Sequence, residues 1–139
     1  VPEFPLPRRS VFYTTFEDKR PVRVFDKDAT EMVADRELEL WAWAWSTPQA
    51  AAWSMPSERW RWYTVGMWVR TAVICESSDA TAADKNSLHR FADQIGMTTA
   101  GLAEMGWRVA VDELATRAAA PAPEPAQPRQ RRLRVADAQ

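Results

Sequence analysis

The sequence predicts a mainly α protein: a compact helical core of four to five helices, opened by a short N-terminal β-hairpin and closed by a disordered Pro/Arg-rich C-terminal tail. Three observations carry that expectation. Eight tryptophans occur in 139 residues, and seven of them fall between Trp41 and Trp68, a large aromatic load for one core. The ten prolines gather at the ends, four between Pro2 and Pro21 and four between Pro121 and Pro128, where they do not break helices. Between these ends, apolar residues recur at helical spacing. The chain therefore divides into a basic arm or hairpin (1–27), a helical core and oligomerisation domain (28–118) and a flexible tail (119–139). With 46% apolar and 27% charged residues, the composition is that of a globular protein.

Residues 1–9, Val-Pro-Glu-Phe-Pro-Leu-Pro-Arg-Arg, read as an extended, proline-stiffened arm. Val11–Phe16 and Val22–Phe25 are β-prone runs separated by Glu-Asp-Lys-Arg-Pro, a hairpin whose loop lacks the usual Gly or Asn. Asp28 can cap a helix from Ala29 to Trp45. Its apolar face holds Val33, Leu38, Leu40, Trp41, Ala44 and Trp45, is interrupted by Glu37, and leaves Met32 and Trp43 on the opposite side. Thr47 before Pro48 starts a short helix to Trp53. Ser57 caps a third helix, Glu58 to Cys75, which is apolar on most sides apart from a seam of Arg59 and Arg70, with Arg61 standing alone. Such a helix is central to a fold or to an oligomer. Thr81 and Asp84 stand at capping-box spacing for a helix to Ile95 that buries Leu88, Phe91, Ala92 and Ile95. Gly96 stops it. Thr98 or Thr99 then caps a last helix to Thr116 with two apolar faces, Leu102/Met105/Val109 and Ala103/Trp107/Ala110/Leu114. The run Ala-Ala-Pro-Ala-Pro-Glu-Pro-Ala-Gln-Pro after Ala118 is a linker.

Charge is unevenly placed. Residues 1–27 carry six bases against four acids, residues 28–46 five acids against Arg36, and the tail four arginines against two acids. Basic ends flank an acidic core, an arrangement in which the ends are either simply solvated or reach for phosphate. Phe12, Tyr13 and Phe25 lie beside the basic residues of the first segment. They are read as β-core packing, with base stacking as the alternative.

Enzyme chemistry finds no foothold. One cysteine and one histidine exclude a disulfide framework, a multi-Cys zinc site and a multi-His metal site. The four glycines have neither P-loop nor dinucleotide spacing. There is no nucleophile elbow. Cys75 reads as a small core residue, His89 as a solvated one, and the carboxylates of the first helix as a solvated face. No catalytic residue, cofactor or metal is expected. The uncharged stretch Leu40–Ser57 contains Ser, Thr, Gln and two prolines and is not a membrane span. With no basic, apolar leader at the start, a soluble protein of the cytoplasm is expected.

Two blocks of sequence resemble a known family. Leu40-Trp-Ala-Trp-Ala-Trp-Ser-Thr-Pro-Gln-Ala-Ala-Ala-Trp53, and then Leu88-His-Arg-Phe-Ala-Asp-Gln-Ile-Gly-Met-Thr-Thr-Ala-Gly-Leu102 followed by Trp107-Arg-Val, resemble the Trp-rich block and the second signature of terminase small subunits from actinobacterial tailed phages. The resemblance spans Leu40 to Leu114. No helix-turn-helix stands out beside it.

The resemblance implies a non-enzymatic packaging factor in the host cytoplasm, a homo-oligomeric ring that recognises double-stranded viral DNA and delivers it to the large terminase subunit, which carries the ATPase and nuclease. On that reading Arg8, Arg9, Lys19, Arg20, Arg23 and Lys27 are DNA contacts. Arg129, Arg131, Arg132 and Arg134 dock on DNA or on the large subunit, and Trp43, Trp60, Trp62, Trp68 and Trp107 serve the oligomer interface. Surplus apolar faces on the third and last helices suit a heterologous ring contact, and repeated weak basic arms add up by effective concentration. The alternatives are a structural virion assembly or connector protein that uses the Trp-rich surface for protein contacts alone, and an unrelated helical regulatory dimer.

Overall fold

The computed structural model describes residues 1–109. An antiparallel hairpin, β1 (Val11–Glu17) and β2 (Arg20–Asp26), leads into α1 (Lys27–Ala44), α2 (Gln49–Trp53), a 3₁₀ turn (Pro56–Glu58), α3 (Arg61–Cys75), α4 (Ala82–Gln94) and α5 (Thr99–Met105). The mainly helical class with an N-terminal hairpin is as the sequence predicts. Of the expected extension of the last helix to Thr116, the part from Ala110 onward, with Leu114, lies outside the described residues, as do the tail arginines.

Several boundaries move for identifiable reasons. Asp26, not Asp28, caps α1, its carboxylate accepting from the Ala29 amide at 2.9 Å, because the strand runs directly into the helix. Thr47 donates its hydroxyl back to the Ala44 carbonyl rather than capping α2. Pro56 diverts the chain into a 3₁₀ turn, so α3 begins at Arg61 and not at Glu58. The last helix ends at Met105, where Gly106 takes a left-handed φ of +67°, a terminator that costs glycine little. The Thr81/Asp84 capping box forms with both reciprocal bonds, and Gly96 turns the chain at φ +76°.

Trp41, Ala44, Ala50, Trp53, Val65, Val69 and Ile95 form the buried core, with Phe4, Trp45, Trp62, Trp68 and Trp107 packed against it. Three indoles hand their N–H to backbone carbonyls: Trp41 to Pro2, Trp53 to Ile95 and Trp62 to Trp53, at 2.8–3.0 Å. Buried tryptophans need such partners. Trp45 packs edge-on against Trp41, Trp53 and Trp62, with ring centroids 5.5–5.6 Å apart. Leu38, expected on the buried face of α1, is exposed.

Glu37 does not interrupt the buried face of α1. It is only 2% exposed, and its two carboxylate oxygens accept from Arg70 of α3 at 2.8 and 2.9 Å. The bond holds the Arg70 guanidinium protonated beyond its ordinary range, against the opposing effect of burial. A charge on each of two apolar helix faces is thus one interhelical pair.

The N-terminal arm is extended, and it lies on this core. Pro2, Phe4 and Leu6 alternate inward, Phe4 meets Trp41 edge-to-face at 5.4 Å, and the Pro7 carbonyl accepts from Arg70 at 2.6 Å. A Cβ on Gly66 would stand 2.9 Å from Pro5 and 3.3 Å from Leu6, so α3 accepts the arm because that position has no side chain. The arm covers apolar surface of α3 that the sequence reading leaves for neighbouring copies.

Candidate nucleic-acid interface

The hairpin is built on a two-residue turn. Asp18 and Lys19 both have positive φ, +46° and +62°, the pattern of a turn whose twist matches its strands. Aspartate tolerates this region better than most residues, which is why the turn closes without Gly or Asn. In a two-residue hairpin the flanking residues, here Glu17 and Arg20, form the bonded pair. The next pair out, Phe16 and Pro21, has its amides pointing away from the partner strand, a position where proline loses no ladder bond.

Both roots of the hairpin are fastened to α1 by one side chain. The buried Thr30 hydroxyl donates to the Asp26 carbonyl at 2.6 Å and accepts from the Val11 amide at 2.9 Å, and Val11 and Asp26 are cross-strand partners.

The two faces of this ribbon differ. Val11, Thr15, Val22, Val24 and Asp26 are half-buried on the inner face. The outer face carries the cross-strand pairs Phe12/Phe25, Thr14/Arg23 and Phe16/Pro21, and all six residues are exposed. Phe16 is 70% exposed and Phe25 50%. The phenylalanines are therefore not β-core, as the sequence reading has Phe12 and Phe25. Tyr13, on the inner side, is also exposed. Phe12 and Phe25 meet edge-to-face at 5.8 Å, and the Arg23 guanidinium lies 4.2 Å from the Phe12 ring centre, a cation–π contact. No acid stands on the outer face; Glu17 and Asp26 belong to the inner face and Asp18 to the turn.

The predicted DNA contacts are distributed around this ribbon without forming one cluster. Arg23 is on the outer face, Arg20 on the inner, Lys19 at the tip, and Arg8 and Arg9 precede the first strand. None of these five forms an ion pair with a described residue, whereas Lys27 reaches Glu31 at 3.9 Å. Arg9 lies close enough to α4 to contribute to the depressed pKa of Asp84, after the larger effects of the Thr81 hydroxyl and amide.

Among the tryptophans assigned to an oligomer interface, Trp43 and Trp60 are exposed, while Trp62, Trp68 and Trp107 are half-buried against the core. Trp43 stacks on Trp68 at 6.2 Å. Arg61, isolated in the sequence reading, pairs with Glu58, donates to the Gln94 carbonyl at 2.6 Å, and has Trp60 and Trp107 within 4.3 and 5.1 Å of its guanidinium carbon.

The link Ile95–Thr98 joins α4 to α5 in the order of a helix-turn-helix, a motif the sequence reading does not find. Gly101 lets α5 approach α4, since a Cβ there would stand 2.2 Å from the Asp93 carbonyl oxygen. Yet α5 is Thr-Ala-Gly-Leu-Ala-Glu-Met and offers DNA no basic or amide side chain, the groups that read bases. The basic side chains predicted to contact DNA stand on the ribbon and beside it, not on this helix.

The chain matches no family model, no curated protein and no solved structure. Among the described residues no group of three or more His, Cys, Asp and Glu can hold a metal ion, and no helix is long and apolar enough to cross a membrane. A groove of about 520 Å³ between α2 and the residues after α5 is lined by Met55, Leu102 and Trp107. Among the described residues its one charged lining residue is Arg108.

Proposed function

We propose that the chain is a non-enzymatic DNA-recognition and adaptor subunit of a phage packaging machine, a terminase small subunit acting in the host cytoplasm as a ring and handing viral DNA to the large subunit. The observation that carries this reading is the ribbon's acid-free outer face, with Arg23 at its centre and Arg8, Arg9, Lys19 and Arg20, which form no ion pair with a described residue, around it. Those cations suit a phosphate backbone. The two-block resemblance over Leu40–Leu114 directs the choice of machine. Exposed Trp43 and Trp60 are available for contacts between copies, and the tail arginines for DNA or for the large subunit.

The test is fluorescence anisotropy of the full chain on tiled duplex fragments from the genome that encodes it, with particle mass measured in the same buffer. Expected results are duplex binding that weakens steeply with salt and a particle larger than a dimer. Absence of binding at low salt by an intact oligomer would end the DNA role and favour an assembly protein that uses the exposed aromatics for protein contacts. A dimer with no larger species would point to a regulatory protein.

A further inference from the structure

We infer that the hairpin enters the major groove of duplex DNA as a two-stranded ribbon, with Arg23 reading a guanine and the phenylalanines of the outer face contacting thymine methyl groups on either side. This deepens the reading above and rests on it.

The argument begins with an inversion. A two-stranded hairpin has too little surface to stand alone, and its larger apolar residues ordinarily face the core. Here the smaller β-branched residues Val22 and Val24 face inward, while Phe12, Phe16 and Phe25 face solvent. Gathered on one face with Pro21, these rings make an exposed apolar patch, a feature that marks an interaction site. The partner is anionic, because the face has a cation and no acid, and the carboxylates of the hairpin lie on the inner face or at the turn.

Size and order then identify it. The major groove, about 12 Å wide, admits a two-stranded β-ribbon. Successive pairs on one face of a strand stand about 6.8 Å apart, close to two base steps of duplex DNA. Along that spacing the outer face runs apolar, polar, apolar: Phe12/Phe25, then Thr14/Arg23, then Phe16/Pro21. The polar pair supplies a guanidinium fork for guanine O6 and N7 and a hydroxyl beside it. The flanking rings match the methyl groups that thymine alone presents. The Arg23 guanidinium carbon lies 4.2 Å from the Phe12 ring centre, a contact that restricts the side chain before binding, so less freedom is lost. The expected element is a guanine flanked, about two steps away on each side, by thymine.

The test uses the full-length chain and a pool of random duplexes, from which the bound site is selected and then measured by anisotropy at fixed salt. Replacing the selected guanine with 7-deazaguanine, which lacks only the N7 acceptor, is expected to weaken wild-type binding by about 5- to 150-fold. Arg23→Ala is expected to abolish discrimination at that position and to become insensitive to the 7-deaza change, while Arg20→Ala lowers affinity for every sequence alike. Replacing the flanking thymines with uracil tests the phenylalanines in the same way and needs no protein variant. A uniform loss with Arg23→Ala, or indifference of the wild type to 7-deazaguanine, would overturn the groove assignment while duplex binding, and so the packaging reading, survives. Tighter binding to unpaired strands than to duplex would also overturn it, in favour of base stacking. Failure of the wild type to bind any duplex at low salt would remove both.

Discussion

Two aromatic regions of this molecule have opposite fates. Most tryptophans of α1, α2 and α3 turn inward, Trp43 excepted: Trp41 and Trp53 are buried, Trp45 and Trp62 pack against them, and three of these four indole N–H groups are bonded to carbonyls. The phenylalanines of the hairpin turn outward: Phe12 meets Phe25 and the Arg23 guanidinium, and Phe16 is 70% exposed. Aromatic content alone therefore does not mark a binding surface. The tryptophan-rich block, which draws the eye in the sequence, is mostly the internal frame, and the plainer phenylalanines are what the fold leaves free.

The contrast can be tested by substitution. Trp53→Ala empties a site with no solvent exposure and strands the Ile95 carbonyl, and should cost about 3–5 kcal/mol in urea unfolding followed by circular dichroism. Arg70→Ala leaves the Glu37 carboxylate buried without its partner and should cost about 3 kcal/mol. The double variant Glu37→Leu/Arg70→Met should recover most of that loss in the same assay. Thr81→Ala should cost about 1 kcal/mol at neutral pH. It should also flatten the acid limb of stability. The Thr81 hydroxyl and amide hold Asp84 below the ordinary aspartate range, so this contribution is present at neutral pH and lost as pH falls through the folded-state value. Comparing urea midpoints at neutral pH and at about pH 3 measures the difference. Phe16→Ser should change stability by no more than about 0.5 kcal/mol, because that ring is 70% exposed. A loss as large as that of Trp53→Ala would erase the distinction between the two regions.

Local signals were legible where the physics is local. The Thr81/Asp84 capping box and the Gly96 stop are written within a few residues and form as read. Pairings across distance were not. Glu37 and Arg70 are 33 positions apart, and helical periodicity sees only an acid spoiling one face and a base seaming another. The clue available was their complementarity, an acid on the apolar face of one helix and a basic seam on the next. The arm carried a similar clue in the alternation Pro2, Phe4, Leu6, which fits a docked strand better than a free one. For the candidate site, the sequence supplied the basic residues but not their context. Alternation along the strands separates Phe12, Thr14 and Phe16 from Val11, Tyr13 and Thr15, but which set faces water depends on how the hairpin leaves α1. That is decided by the Asp26 cap and by Thr30.

Thr30 gives the ribbon a mechanical character. Because a single hydroxyl ties together the first and last paired residues of the hairpin, and the residue after the second strand is already the first of an 18-residue helix, there is no hinge at the base. A load applied at the tip is transmitted down the helix axis to the indole frame, as by a lever. In an assembly of several copies, such prongs would keep a fixed pitch to their neighbours, so their stagger along a bound duplex would be set by the helices behind them.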